Sequence, residues 1–442
     1  MRSTLLITAF ISLFPSVFPA ALVPPSQDPF YDQPNNISTY AAGEVIRSRS
    51  VDPQLESLLS LPVDISVKAV SQFLFRTTDN LGDAAAAVVT LIEPHNSDPT
   101  KLVGYQTFYD SANVDCSPSY TLQAESESLV NLLAGNVSED VPFMVGVLNQ
   151  GWWLYTTDYE GLKAEYTTGL QSGYAVLDST RAVLSAGPAL GLSSSPKYAL
   201  WGYSGGSLAS TWAAELQPSY APELNFAGVA VGGTVPNISS ILATIHDSTA
   251  AGLAFSGIYG ESKAFPNMTA WLEENLLSDM KEEFYSIANG CLAQATAAGV
   301  GKDLYSFFNG GEAAFEMEVP QSIFRWSGQL GVHGIPSAPL FIYKAVGDEI
   351  SPVADTDDLV AEYCSAGARV EYHRDLVGDH ETEAISGSAS ALDWLNERLA
   401  GVEVDDGCII EDVALTSLSL GSVAFFGEEL YSILGSILGA EL

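Results

Sequence analysis

The most informative stretch of the chain is a serine flanked by glycines, Gly202-Tyr203-Ser204-Gly205-Gly206. The apolar letters YALW precede it and the alanine-rich run SLASTWAAEL follows it, which predicts a strand that turns sharply into a helix. In a G-x-S-x-G turn of this kind, side chains at Gly202 or Gly206 would collide with the neighbouring backbone. The helix N-terminus also favours negative charge that develops near the hydroxyl. Ser204 is therefore a candidate nucleophile for acyl transfer; the alternative is a plain glycine-rich turn.

Five histidines could supply the base that such a serine needs, because its hydroxyl is a poor nucleophile until its proton is removed. With a serine on this kind of turn, the acid and then the histidine follow it along the chain. His380 lies just past a predicted strand, in the loop VGDHETE, where the carboxyl edge of a parallel sheet presents functional groups. The others precede the serine, precede the return of the sheet or lie inside a strand: His95, His246, His333 and His373. His380 is the candidate base.

The acid that orients the histidine is expected where the preceding strand ends. The run PLFIYKAV leads directly into Gly347-Asp348, so Asp348 would lie at the same sheet edge as His380. Its role would be to fix the imidazole tautomer and to stabilise the imidazolium as it forms. The competing carboxylates are Glu349, Asp355, Asp357 and Asp379. Asp355 and Asp357 fit a helix start better, and the acid adjoining the histidine should point away, so Asp348 is preferred.

Alternating strands and helices must position these residues. Strand patterns include 67–77, 84–94, 102–109, 339–346 and 369–376, and helical patterns include 168–186, 356–365 and 381–399. This alternation predicts an α/β fold with a mostly parallel central sheet flanked by helices. Segments within 236–330 are helical without a convincing strand, which predicts a helical insertion. Residues 22–53 show no periodicity and are expected to form an extended surface arm.

Charge and composition restrict the partners of the chain. It has 54 acidic residues against 17 lysines and arginines, a formal charge of -37, which repels phosphate backbones and makes nucleic acid an unexpected partner. Its 47% apolar content excludes a disordered chain. Residues 1–20 place Arg2 before an apolar run too short to span a bilayer, which predicts a signal peptide. No later apolar run has spanning length, so we expect a secreted protein without a transmembrane segment.

Sequons and cysteines agree with secretion. The candidate glycosylation sites are Asn36, Asn136, Asn237 and Asn267. The four cysteines, Cys116, Cys291, Cys364 and Cys408, predict two disulfides with three possible connectivities. None of them has metal-ligand spacing and none lies beside a histidine, so no metal, thiol nucleophile or other cofactor is expected.

Seven segments, in one consistent order, resemble the fungal secretory lipases, the Candida antarctica lipase A-like family of the α/β-hydrolase superfamily. They are GYQTFYDSANVDCSPSY, TTDYEGLKAEYTTG, GYSGG, SYAPELN, VGGT, GDEISP and GDHETE. The resemblance implies an α/β-hydrolase fold in which Ser204, Asp348 and His380 form the catalytic triad. It also implies that backbone amides of Gly205 and Asp110 form the oxyanion hole. From the residues alone, Asp110 would have been interpreted as a turn-capping residue.

The resemblance extends to the disulfides and to the division of the chain. It implies the pairs Cys116–Cys291 and Cys364–Cys408, a lid within the insertion and a flap formed by the C-terminal tail. The resulting division is a signal peptide at 1–20, a hydrolase core at 21–235 and 331–410, a helical cap at 236–330 and a tail at 411–442.

The function predicted on these grounds is a secreted serine lipase or esterase that hydrolyses acyl esters such as triacylglycerols, in part at an oil–water interface. Two alternatives stay open. A serine peptidase or carboxypeptidase on the same fold would use the same triad, because a triad does not distinguish amides from esters. A non-catalytic binding protein with a hydrolase fold is the other, and the complete candidate triad in the correct order disfavours it.

Overall fold

A ten-stranded sheet forms the centre of the computed structural model, which describes residues 22–55, 65–123, 126 and 140–414. The predicted signal peptide, Asn136 and the tail beyond residue 414 lie outside these residues. The strands are β1 Val45–Val51, β2 Gln54–Leu55, β3 Ile65–Ser66, β4 Ala69–Thr78, β5 Ala84–Glu93, β6 Asp98–Gln106, β7 Trp152–Thr157, β8 Lys197–Tyr203, β9 Val229–Gly232, β10 Leu340–Ala345, β11 Val370–Asp375 and β12 Cys408–Val413.

The strands of this sheet lie in the order β1-β4-β5-β7-β6-β8-β9-β10-β11-β12, and β2 and β3 form a separate pair. The first three neighbouring pairs are antiparallel, and every pair from β7 onward is parallel. Parallel neighbours require long crossover connections, which helices provide. This is the mostly parallel, helix-flanked sheet that the sequence predicts.

Thirteen α-helices occur in the described part of the chain. They are α1 Pro118–Thr121, α2 Val141–Asn149, α3 Gly169–Ala186, α4 Gly205–Tyr220, α5 Ile238–Ile245, α6 Ala251–Ala264, α7 Pro266–Asn275, α8 Lys281–Ala288, α9 Leu292–Gly299, α10 Glu318–Ser327, α11 Val353–Ser365, α12 His380–Ser386 and α13 Ser388–Ala400. Helices α5 to α10 make up a helical insertion between β9 and β10. Helices α3 and α4 pack on each other, and α4 and α13 both pack on β8.

Three parallel strands end at the same edge of the sheet and carry the candidate residues of the sequence. Ser204 follows β8 directly, Asp348 follows β10 and His380 follows β11. Because the carboxyl ends of parallel strands lie at one edge, the topology alone brings these loops together.

The segment predicted as an extended arm instead contributes an edge strand, so that prediction is wrong for residues 45–51. Strand β1 pairs antiparallel with β4. Its Arg47 donates to the carbonyl oxygens of Pro29 and Phe30, and Arg49 forms an ion pair with Asp28. Charged side chains are typical of an edge strand, where they discourage pairing with another chain. Because Arg47 and Arg49 lie within β1, its sequence lacks the apolar alternation that would have indicated a strand.

Two boundaries near the C-terminus differ from the prediction. The helix expected over 381–399 is broken at Gly387 into α12 and α13. A Cβ atom at Gly387 would lie 2.2 Å from the ring of Tyr343, so only glycine allows the chain to pack this closely on β10. The tail expected from residue 411 begins later, because β12 runs to Val413 as a parallel neighbour of β11.

Two disulfides join separate parts of the described chain, and they are the two pairs that the resemblance implies. Cys116–Cys291 joins the segment after β6 to the start of α9 in the insertion, with Cα atoms 5.5 Å apart. Cys364–Cys408 joins the end of α11 to the start of β12, with Cα atoms 5.9 Å apart.

Candidate active site

Ser204 lies on a tight turn between β8 and α4, with φ 50° and ψ -120°. A positive φ is uncommon for a residue with a side chain and indicates local strain. The turn also requires glycine on both sides. A Cβ at Gly202 would lie 2.2 Å from the carbonyl oxygen of Gly206, and one at Gly206 would lie 1.9 Å from that of Gln106. The sequence motif therefore folds as the strained strand-to-helix turn that G-x-S-x-G predicts.

A line of hydrogen bonds joins the serine to the histidine and to the acid chosen from the sequence. His380 Nε2 lies 2.8 Å from Ser204 Oγ, and His380 Nδ1 lies 2.7 Å from Asp348 Oδ2. Because a carboxylate can only accept, Nδ1–H donates to Asp348 and leaves Nε2 to accept from the hydroxyl. The structure thus brings together the three residues that sequence order and context selected.

The Asp348 carboxylate is held in a charged and fully hydrogen-bonded environment. Its Oδ1 accepts from the backbone N–H groups of Ile350 and Ser351 at 2.9 and 2.8 Å. Its Oδ2 accepts from His380 and from Lys344 Nζ, at 2.7 Å each. Burial raises the pKa of Asp348, but the hydrogen bond and charge of His380, together with Lys344, outweigh it and hold the pKa well below its usual range. Asp348 is therefore ionised beside the imidazole.

Lys344 is a residue of the site that the sequence did not reveal. It lies on β10, its side chain is wholly buried, and it also donates to the carbonyl oxygen of Thr234 at 3.0 Å. Burial lowers the pKa of Lys344 while Asp348 raises it. A single lysine inside the apolar run PLFIYKAV was the available signal, because a central strand rarely holds a charge without a buried partner.

The backbone of the histidine is fixed from two sides. The hydroxyl of Tyr203 donates to the carbonyl oxygen of His380 at 2.6 Å, and the N–H of His380 donates to Glu349 Oε2 at 3.0 Å. Glu349 was the rival acid next to Asp348, and the structure places it on this N–H rather than on the imidazole. The site therefore uses both adjacent carboxylates, each on a different part of the histidine.

The remaining rival acids lie elsewhere. Asp379 caps α12 by accepting from the N–H of Thr382 at 3.0 Å. Asp357 pairs with Arg374 at 3.0 Å, and Asp355 lies in the first turn of α11. The other histidines are also distributed away from Ser204, with polar neighbours of their own: His95 beside Ser66, His246 beside Asp303, His333 beside Trp326 and His373 beside Glu371.

Asp110 lies against the backbone of the residue that follows the nucleophile. A Cβ at Gly205 would lie 1.8 Å from Asp110 Oδ1, so only glycine leaves room for this carboxyl group. Asp110 has φ 38°, in the left-handed region, and Oδ1 finds no hydrogen-bond partner within the described residues. Burial raises the pKa of Asp110 to about 7, although His380 lowers it. The residues named for the oxyanion hole are therefore adjacent to each other and to Ser204.

The segment that carries Asp110 is fastened to the helical insertion at several points. Ser111 Oγ donates to the carbonyl oxygen of Gly290 at 2.9 Å, and Asn113 Nδ2 donates to that of Asn289 at 3.1 Å. Lys263 of α6 donates to the carbonyl oxygen of Ala112, and the Cys116–Cys291 disulfide follows directly. Residues 110–116 and the start of α9 therefore form one connected unit.

An apolar cavity opens beside Ser204 between the sheet edge and the insertion. Its walls come mainly from one face each of α5 and α6, with Phe324 from α10, and include Ile238, Ile241, Ile245, Ala254 and Ile258. Asp110, Ser204 and Gly205 line the same cavity. The site thus places a hydrogen-bonded serine at the mouth of a space suited to hydrocarbon.

Three candidate glycosylation sites fall within the described residues. Asn36 and Asn267 are exposed, whereas Asn237 is half-buried and caps α5 by accepting from the N–H groups of Ser239 and Ser240. Glycosylation at these positions stays a prediction.

Comparison with known proteins decides the family. The Secretory lipase family model matches residues 127–407, more than half of the chain. The chain belongs to the secretory lipase family. Lipase A of Arthroderma benhamiae is 35% identical over 95% of this chain and 89% of its own length, and Lipase 1 of Candida albicans is 34% identical over 100% and 95%. The structure of Candida antarctica lipase A in its closed state matches with a TM-score of 0.82 at 29% identity, covering 94% of this chain and 96% of that one.

More distant structures share the fold alone. The rice cell wall degrading esterase LipA from Xanthomonas oryzae matches with a TM-score of 0.61 at 16% identity, covering 82% of this chain and 100% of that one. The family resemblance and the α/β-hydrolase fold predicted from the sequence are confirmed, and this secretory lipase is a carboxylic ester hydrolase. No helix in the described residues has the length and apolar character needed to cross a membrane.

Proposed function

We propose that this chain hydrolyses acyl esters, triacylglycerols among them, through an acyl-enzyme on Ser204. The observation that carries the proposal is the unbroken line of hydrogen bonds from Ser204 Oγ through His380 to Asp348 at the mouth of an apolar cavity. The names of the two relatives described above, Lipase A and Lipase 1, agree with the substrate class.

The first half of the reaction acylates the serine. His380 Nε2 removes the hydroxyl proton as Ser204 Oγ attacks the ester carbonyl, and the ionised Asp348 stabilises the imidazolium that results. His380 then donates this proton to the departing alcohol. Because Lys344 and two backbone N–H groups already hold Asp348, the carboxylate does not need to reorient during the proton transfer.

Backbone N–H groups of Gly205 and Asp110 are proposed to bind the carbonyl oxygen as it becomes negative. The first is at the N-terminus of α4, where the helix dipole adds to its effect. Loss of one such donor costs about 100- to 1,000-fold in turnover. A neutral Asp110 side chain would avoid placing a second negative charge beside the oxyanion, and burial favours that neutral form.

The second half of the reaction releases the acid. Water takes the place of the alcohol, and His380 removes a proton from it as its oxygen attacks the acyl carbonyl. The bond between the acyl carbon and Ser204 Oγ then breaks, and His380 returns the proton to Oγ, which restores the hydroxyl. Residues of this chain supply every proton transfer in this scheme.

The helical insertion is proposed to act as a cap over the acyl-binding cavity. The cavity has a volume of about 50 Å³, whereas sites for small ligands usually measure about 300–1,000 Å³. A long acyl chain therefore requires α5 and α6 to separate. We expect an oil–water interface to favour such an opening, because separated helices expose apolar surface.

We also propose that the protein is secreted. It is supported by the signal-peptide pattern at 1–20, by two disulfides and by sequons at Asn36 and Asn267, whose side chains are exposed.

The test compares hydrolysis of p-nitrophenyl esters, from acetate to palmitate, and of emulsified triolein. The variants are Ser204→Ala and a matched control, Ser365→Ala, which removes an exposed hydroxyl at the end of α11. We expect the wild type and the control to hydrolyse long esters and triolein, and the Ser204 variant to lose this activity. A fluorophosphonate probe should label the wild type and the control but not the Ser204 variant.

Each other outcome has a defined meaning. Activity confined to short esters would keep the triad and replace the lipase with an esterase. Cleavage of peptides without cleavage of esters would favour the serine peptidase. Absence of both activities, with no probe labelling, would leave the non-catalytic binding protein.

A further inference from the structure

Besides Asp110, a second carboxylic acid lines the cavity beside Ser204. Along α6, the residues that line this cavity are Leu253, Ala254, Gly257, Ile258 and Glu261. From Ala254 to Glu261 the positions follow the spacing i, i+3, i+4, i+7, and Leu253 adjoins the first of them, so the set lies on one face of the helix. The Glu261 side chain has no solvent exposure. Helix geometry therefore directs this carboxyl group to the substrate side of α6 rather than to solvent.

The hydrogen-bonding capacity of Glu261 is largely unused in the described residues. Its Oε2 has no partner, and its Oε1 has only Thr167 Oγ1, at 3.4 Å. The Thr167 hydroxyl lies 2.6 Å from the carbonyl oxygen of Tyr166, and it has a single proton to donate. That proton goes to the nearer oxygen, so Thr167 leaves Glu261 without a strong donor.

The surroundings of Glu261 favour its neutral form. Burial, and then the negative charge of Glu165, raise the pKa of Glu261 to about 8, although Thr167 lowers it. No lysine or arginine of the described residues forms an ion pair with it. A protonated carboxyl group has one O–H donor and free acceptor sites. It can therefore satisfy a neutral polar group that both donates and accepts.

A buried polar group without a partner costs free energy, and a ligand that supplies the partner recovers that cost. We propose that Glu261 is a specificity-determining residue that selects acyl chains carrying a hydroxyl group at the carbon that reaches it. The substrate class is therefore esters of hydroxylated fatty acids. This inference rests on the proposed function, because it takes the cavity beside Ser204 as the acyl-binding site.

A hydroxyl group fits this position better than an ionic one. The rest of the lining that α5 and α6 contribute is formed by isoleucine, leucine and alanine side chains and by Gly257, which cannot solvate a charge. A hydroxyl can donate to Oε2 and accept from the carboxyl O–H at the same time. A plain methylene at the same carbon would instead leave Glu261 unsatisfied, so the discrimination follows from the polar group of the protein as well as from that of the substrate.

The test uses p-nitrophenyl octadecanoates in three matched forms: unsubstituted, with one hydroxyl group, and with one methyl group at the same carbon. The substituted carbon is varied along the chain. We expect the wild type to show a maximum at one position or two adjacent ones, where the hydroxylated ester has a kcat/KM about tenfold above the methylated one. The methyl series controls for the width of the cavity.

Variants assign the preference to the carboxyl group. Glu261→Leu should lose the hydroxyl-to-methyl ratio at that position, and Glu261→Gln should keep most of it, because an amide also donates and accepts. Glu274→Leu, an exposed glutamate on α7, is the matched control and should keep the wild-type ratio. Thermal unfolding of each variant shows that it is folded.

The outcomes separate this inference from the proposed function. If the wild type hydrolyses all three series with a ratio near one at every position, the inference is wrong and the lipase activity stands. A ratio that survives in Glu261→Leu would also overturn it. If the wild type hydrolyses none of the esters, it is the proposed function that fails.

Discussion

Each carboxylate oxygen of Asp348 accepts two hydrogen bonds, whereas Glu261, in the cavity wall, keeps one oxygen without a partner in the described residues. Both side chains are acidic and buried, yet one is held ionised and the other is kept neutral. The difference lies in their neighbours: Asp348 has Lys344 and His380, and Glu261 has Thr167 and hydrocarbon. In the proposed mechanism, the residues that move protons are held by the protein alone, and the residue proposed to meet the acyl chain is left for the substrate to complete.

The largest effect is expected when the charge of Asp348, the fully hydrogen-bonded carboxylate, is removed. Asp348→Asn should lower kcat about 10⁴-fold, because an amide cannot hold the imidazole in the tautomer that accepts from Ser204. The measurement is kcat for p-nitrophenyl butyrate. The matched control is Asp357→Asn, which alters a rival acid that pairs with Arg374 at the surface. Similar losses in both variants would contradict the assignment of Asp348.

The next largest effect concerns the partner of that charge. Lys344→Met should lower the free energy of unfolding by about 3–5 kcal/mol, because Asp348 would remain buried with less compensation. Urea unfolding at pH 7 measures this. Lys68→Met removes a lysine that is 56% exposed and pairs with Glu93, so it should cost less than about 1 kcal/mol.

The same pair predicts a pH dependence of stability. In the wild type, the lowered pKa of Asp348 contributes stability that is present above its unfolded value, about 3.9, and is lost as the pH falls below it. Without Lys344 the folded-state pKa of Asp348 rises. The variant therefore protonates Asp348, and loses the uncompensated buried charge, at a higher pH than the wild type does. The stability difference between wild type and Lys344→Met should therefore shrink as the pH is lowered towards 4. A constant difference would show that the lysine does not act through this carboxylate.

A smaller effect is expected on the oxyanion side. Burial raises the pKa of Asp110 to about 7, so the folded protein binds a proton there that the unfolded chain releases near pH 4. Asp110 therefore lowers stability as the pH rises from about 4 to 7. For activity, ionisation of Asp110 would place negative charge beside the oxyanion, so kcat/KM should fall as the pH rises through 7. Asp110→Asn, which stays neutral, should lack this decline; the same decline in both enzymes would assign it to another group.

The smallest effect concerns the contribution of the N-terminal cap of α5, a helix of the cavity wall, to the free energy of unfolding. Asn237→Ala removes the cap of α5 and should lower the free energy of unfolding by about 1 kcal/mol. Because Asn237 is also a sequon, Ser239→Ala is the matched control: it abolishes the sequon and leaves the capping side chain in place. Equal losses in the two variants would assign the effect to the glycan instead of the cap.

The sequence predicted the three candidate catalytic residues better than the buried charged residues around them. Ser204, His380 and Asp348 each follow a strand of a recognisable pattern, and parallel topology brings strand ends together without further information. Lys344 lies inside an apolar pattern and Glu261 lies near the end of one, and a charged residue at such a position is usually interpreted as facing solvent. Their roles depend on which face of a strand or helix meets which cavity, and that is decided by tertiary packing.

The contacts between residues 110–116 and the insertion bear on whether the oxyanion hole forms before or after the substrate binds. If Asp110 moved together with the cap, each opening of the cap would disrupt the proposed oxyanion hole. Cys116–Cys291 and the hydrogen bonds of Ser111 and Asn113 join residues 110–116 to the start of α9. We therefore expect that end of the insertion to stay in place during the proposed opening, and α5 to supply the movement. The proposed oxyanion hole would then be formed before substrate binds. Small water-soluble esters should accordingly be turned over from the first instant of mixing, without a lag.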